Sequence, residues 1–134
     1  MKTISAIKSR YYSMAKQLQA PPAHIRFATT PQHDGSPHVE RGGDLFCYVV
    51  TERGQELKRR RTADSDELLY WLLSDLTWAM AIDYELRHRV TKHDVRRLLF
   101  KKHLELLAQL NSEWSHRKKA EYDQVLATHP YWDD

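Results

Sequence analysis

The chain has 134 residues, 41% hydrophobic and 29% charged, with a single cysteine and a formal charge of +3. That suffices for one compact domain over residues 1–134 with a core of its own, and it excludes a disordered chain or a disulfide scaffold. The basic excess is too small to mark a dedicated nucleic-acid binder by itself.

Residues 3–19 predict a first helix. Ile4, Ile7, Tyr11, Met14 and Leu18 recur at steps of three and four and make one apolar stripe. The stretch after Lys2 is too polar for a signal peptide. With Cys47 alone and set in an apolar run, the expectation is a reducing, cytoplasmic setting and a thiol that packs rather than reacts. Pro21 and Pro22 stop the helix, because proline disfavours helical geometry before it and donates no amide hydrogen.

Short strands are expected next. Residues 24–28 alternate, with Ile25 and Phe27 on one side. Residues 30–37 are turn chemistry, 38–41 form a second strand, and 45–52 form the strongest one, rich in β-branched and aromatic residues. Arg53-Gly54 suits a two-residue hairpin turn. Direct hairpin pairing then sets Val50 opposite Leu57, Tyr48 opposite Arg59 and Phe46 opposite Arg61, and makes Arg59 over Tyr48 a cation–π pair. The whole reads as a four-stranded antiparallel meander.

Asp64 is a natural N-cap, with Glu67 three residues on to complete a capping box. Leu68, Leu69, Leu72, Leu73, Leu76 and Met80 follow, with Tyr70, Trp71 and Trp78 widening the apolar surface. A helix to about residue 89 that is apolar around most of its circumference is central. Asp75 and Asp83 argue against a membrane span. A joint at 92–94 precedes a helix carried by Val95, Leu98, Leu99, Leu106 and Leu110. Ser112 caps a last helix through Leu126, with Trp114, Tyr122, Val125 and Leu126 on its apolar face. The expected fold class is α+β: an N-terminal helix, the four-stranded antiparallel meander, then three C-terminal helices packed on the sheet.

No residue set here makes a catalytic, metal or cofactor site. His33, Asp34, His38 and Glu40 cluster near a turn, but without a recognisable ligand framework they read as ordinary turn and strand residues. His103 reads as a buried, hydrogen-bonded histidine. Asp75 and Asp83 read as ion-pair partners of arginines rather than an acid–base pair. Residues 58–61, Lys-Arg-Arg-Arg, form the densest basic run. Strand alternation splits it over two faces, which favours a charged edge strand over a nucleic-acid site. In the terminal Tyr131-Trp132-Asp133-Asp134, two aromatic residues precede two acids. Either they dock on the protein's own helices or they form an exposed hot spot for a partner.

The run FCYVV, then TERG, a polar return strand and DSDELLYWLLSDLT, over residues 46–76, resembles the bacterial immunity protein 63 family. DVRRLLF at 94–100 and the terminal HPYWDD are also similar, and the likeness spans about residues 38–134. The resemblance implies a protein that is encoded beside a toxin of a polymorphic or contact-dependent inhibition system and neutralises that toxin by binding it. It brings no catalytic residues. The expected function is therefore stoichiometric occlusion of a cognate toxin encoded by a neighbouring gene, without enzymatic activity or cofactor. Arg59, Tyr131, Trp132, Asp133 and Asp134 are the candidate partner-binding residues. The alternative is a small RNA- or DNA-binding regulator using residues 58–61. Inhibitors of basic nucleases are typically acidic, and this chain is not, so Glu52, Glu56, Asp133 and Asp134 are the local acids such a partner would need.

Overall fold

The computed structural model describes residues 3–134. In chain order the elements are α1 (Ile4–Gln17), β1 (Asp34–Gly42), β2 (Leu45–Glu52), β3 (Gln55–Thr62), α2 (Ser65–Arg87), α3 (Val95–Leu110) and α4 (Ser112–Thr128). The class is α+β: one helix, a three-stranded antiparallel sheet in the order β1-β2-β3, then three helices. No helix among the described residues is long and apolar enough to cross a membrane. The chain divides into two compact units. The first holds the chain up to Lys16 and Ile25–Leu73; the second holds Gln17–His24 and Ser74–Asp134.

In the first unit, the sheet has three strands and not four. The expected strand at 24–28 is absent, because a turn of 3-10 helix runs from Pro22 to His24 and the next residues are irregular. One main-chain bond joins this segment to the sheet, from Val39 N–H to the Ala28 carbonyl at 2.9 Å. A single bond is not a ladder. The alternation of Ile25 and Phe27 instead reflects docking: Phe27 is buried, its ring 5.7 Å from that of Tyr11. The Tyr11 hydroxyl accepts the Arg26 N–H at 3.1 Å.

The turn chemistry at 34–36 is realised inside a strand. β1 begins at Asp34, opposite Glu52, and its register then shifts before Pro37 meets Val50. Ser36 donates to Asp34 through both its N–H and its hydroxyl, which folds the extra residues into a bulge. β2 is the middle strand. Phe46, Cys47, Tyr48 and Val49 are all buried, so both of its faces are covered.

The β2–β3 hairpin turns at Arg53-Gly54, with φ of 52° and 81°. Positive φ at both centres is the left-handed geometry that matches strand twist, and glycine makes the second centre inexpensive. Thr51 then pairs with Glu56, but Val50 pairs with Lys58. Leu57 is the extra residue of a bulge, 58% exposed. Every pair beyond it is displaced by one from direct hairpin pairing: Tyr48 faces Arg60, Cys47 faces Arg61 and Phe46 faces Thr62.

α2 starts as Asp64 predicts, with its carboxylate accepting the Asp66 N–H at 2.8 Å. Leu68, Leu69, Tyr70, Leu72 and Leu73 are buried. At about 100° per residue, such a consecutive set lines most of the helix circumference. In the second unit, the buried residues include Leu76, Thr77 and Ala81 of α2 and Leu99, Phe100, His103, Leu106 and Leu107 of α3. α4 is capped by Asn111 rather than Ser112. The Asn111 side-chain oxygen accepts the N–H groups of Glu113 (2.9 Å) and Trp114 (3.2 Å), a reach the shorter serine does not have from within the helix. The Asn111 N–H also donates to the Leu107 carbonyl at the end of α3, so one residue closes one helix and opens the next.

Candidate partner-binding site

The second unit holds four of the five candidate residues together, in a C-terminal strap over residues 129–134. The strap is built on the first turn of α3. Asp94 is the α3 N-cap, accepting the Arg96 N–H at 2.9 Å. Its other oxygen accepts the Trp132 N–H at 2.9 Å. Arg96 holds Asp94 at 2.8 Å and donates to the carbonyls of His129 (2.9 Å) and Pro130 (2.8 Å). Asp133 accepts the Asp94 N–H at 2.7 Å and forms an ion pair with Arg97 at 2.9 Å. The Asp134 N–H donates to the Lys92 carbonyl at 2.9 Å.

This arrangement follows from elementary electrostatics. A helix N-terminus offers unpaired N–H groups and a positive dipole end, so acids collect there. The guanidiniums of Arg96 and Arg97 add charge-assisted bonds. Hydrogen bonds from Arg96 and from the Trp132 N–H hold the Asp94 carboxyl well below the usual carboxylate range. Arg97, then the Asp94 N–H, likewise lowers that of Asp133.

The strap sorts its two aromatic residues. Tyr131 docks, its ring 4.3 Å from the Arg97 guanidinium, 5.6 Å from that of Arg96 and 6.4 Å from the Phe100 ring. Trp132 stays 75% exposed, the most exposed large apolar side chain among the described residues. Its backbone is nevertheless fixed at both sides. An indole held in solvent by a hydrogen-bonded backbone is pre-organised for contact, because little conformational freedom remains to be lost on binding.

Arg59, the fifth candidate, belongs to the first unit. It bonds Glu56 at 2.7 Å and Glu40 at 3.2 Å, while Glu40 also bonds the buried His38 at 2.7 Å. His38, then Arg59, lowers the Glu40 pKa, and Arg59 lowers that of Glu56. The expected cation–π pair falls to the next residue. Arg60 lies 5.1 Å from both the Tyr48 and Trp71 rings, in consequence of the bulge at Leu57. Asp34 is engaged by Ser36 and Arg26, and no group of three His, Cys, Asp or Glu residues that could hold a metal is present among the described residues.

Two other expectations resolve within the second unit. His103 is buried and hydrogen-bonded as expected. Its Nε2 faces Thr77 Oγ1 at 2.8 Å and its Nδ1 is hydrogen-bonded to the Tyr122 hydroxyl. Burial, aided by the nearby Lys118 charge, pushes its pKa down to about 4. Asp83 pairs with His24 at 2.5 Å rather than with an arginine.

Residues 43–124 match the family model described as Immunity protein 63, more than half of the chain. The chain belongs to that family. No curated protein and no solved structure matches it. The Immunity protein 63 match covers β2, β3, α2, α3 and most of α4, and so includes residues 58–61 and the strap's supports Asp94, Arg96 and Arg97. The strap itself lies beyond it. Sequence reasoning singled out the strap's aromatic and acidic residues but missed Arg96 and Arg97 as their supports. The available signal was an N-cap aspartate followed at once by two arginines, in a chain that ends in two acids.

Proposed function

We propose that this protein binds and neutralises a toxin encoded beside it, by stoichiometric occlusion and without turnover. Membership of the Immunity protein 63 family carries this reading. The strap supports it, because it presents a fixed, exposed tryptophan, the residue type most enriched among interface hot spots. In this reading Trp132 is the anchor and Asp134 an orienting charge. Tyr131 and Asp133 position the strap from beneath.

Co-expression with the neighbouring toxin, followed by calorimetry on the purified pair, tests it. The expected result is protection that requires a complex of fixed stoichiometry. Trp132→Ala should weaken that complex about 30-fold or more, the loss typical of a hot-spot tryptophan. Protection without binding, or by substoichiometric amounts, rules out occlusion. Undiminished binding by the variant removes the strap as the anchor and leaves the immunity reading in place.

A further inference from the structure

β3 is an edge strand, and no main-chain hydrogen bond among the described residues uses its outer side. Beyond the bulge at Leu57, residues 58–62 pair in regular register with β2. They present an uninterrupted row of unpaired backbone groups, the ordinary template for strand addition. Their charge is one-sided. Arg59 is neutralised by Glu40 and Glu56. Lys58 and Arg61 are exposed and have no hydrogen-bonded carboxylate among the described residues. Arg60 stacks on Tyr48 and Trp71, and its Nε is buried without a hydrogen-bond partner.

Three cations that hydrogen-bond no carboxylate, Arg61 interacting with Glu56 only at longer range, lie on five residues of open edge and decide what can pair there. A second copy of this chain would set like charges against each other across the new ladder, which is destabilising. A strand carrying acids satisfies both the backbone row and the charges. Lys58 and Arg60 share one face of the sheet and Arg61 projects from the other, so acids at neighbouring positions of an incoming strand would each meet a cation. The guanidinium of Arg60, already held against two rings, gives up little freedom on meeting a carboxylate.

We propose that the outer edge of β3, over residues 58–62, receives an extended acidic segment of the toxin by strand addition. The proposal rests on the immunity reading and adds the chemistry of the partner to it. Nucleic acid is the competing occupant, but a strand that splits its cations over two faces suits an interleaved peptide better than a phosphate backbone tracking one surface.

Hydrogen–deuterium exchange on the full chain tests it, alone and with three probes: an octapeptide alternating Glu and Val, its Lys and Val counterpart, and single-stranded oligouridine. The acidic peptide should bind at least tenfold more tightly than either other probe and slow the outward amides of residues 58–62 at least tenfold. Lys58→Glu with Arg61→Glu should abolish both effects, and Lys58→Gln with Arg61→Gln should weaken them, with thermal melts unchanged. Absence of binding, binding that leaves those amides unprotected, or tighter binding of oligouridine overturns the proposal. With the toxin itself, the same amides should be protected. A toxin complex that forms equally well with the charge-reversed variant overturns the edge proposal while the immunity reading stands. A wild-type protein that binds no toxin defeats the immunity reading, and the edge proposal with it.

Discussion

His103 shows what burial does to a single titratable side chain. It is 2% exposed and hydrogen-bonded at both ring nitrogens, with a folded pKa near 4. The ordinary unfolded value is about 6.5. The imidazole is therefore neutral in the fold and takes up a proton more readily once unfolded. Its contribution to stability is complete above about pH 6.5 and is lost as the pH falls from there towards 4. Between pH 6.5 and 5 the loss is about 2 kcal/mol, at about 1.4 kcal/mol per pH unit. The lowered carboxyls of Glu40, Glu56, Glu85, Asp94 and Asp133 contribute the opposite window: they stabilise above their unfolded values and lose that only below about pH 4.5. The carboxyl window thus lies below that of His103, and the difference between the wild type and His103→Gln isolates this imidazole. Urea melts at pH 7 and 5 should show the wild type losing about 2 kcal/mol more than His103→Gln.

At the scale of elements, α2 and the sheet show what a sequence reveals and what it conceals. The dense leucines of α2, its Asp64 cap, the extent of β2 and the Arg53-Gly54 turn are all legible, because each rests on a local rule of spacing or backbone preference. The bulge at Leu57 is not, since an inserted residue leaves the composition of a polar strand unchanged. That one residue exchanges the roles of Arg59 and Arg60. The strand expected at 24–28 fails for a related reason: two alternating apolar residues fit docking beside Tyr11 as well as a ladder. The strap is half legible. Its amphipathic composition stands out, but the bond from Arg97 to Asp133 spans 36 residues and follows no local pattern. Leu73, fully buried where α2 is most apolar, gives the direct test of the core. Leu73→Ala should cost about 2–5 kcal/mol by urea denaturation, as a buried leucine loses its transfer energy and leaves a cavity.

Across the whole molecule, charge is distributed more informatively than a net of +3 suggests. A basic toxin surface would call for local acids, and Glu52, Glu56, Asp133 and Asp134 are the expected set. Two of those are engaged internally, Glu56 by Arg59 and Asp133 by Arg97. On β3, by contrast, Lys58, Arg60 and Arg61 hydrogen-bond no carboxylate among the described residues. Complementarity thus favours an acidic partner segment, opposite in sign to that expected for a nuclease inhibitor. Membership of the Immunity protein 63 family is consistent with either sign, so this inference comes from the residues of this chain.

α4 has 17 residues and none of them is buried. Between its anchored ends, its hold on α3 comes from half-buried side chains: the Tyr122 ring stacked on Phe100 at 3.8 Å, its hydroxyl bonded to His103, and the Ser115 hydroxyl donating to the Leu104 carbonyl at 2.9 Å. A helix anchored so lightly belongs to the low end of the ladder of local opening free energies. It should detach in rare excursions while the core beneath remains folded, and native-state exchange should find its amides opening well below the global unfolding energy. Each excursion strips the roof from His103 and admits water to its Nδ1. Proton uptake by His103 then need not wait for complete unfolding, and its contribution to acid denaturation should rise with how often α4 lifts.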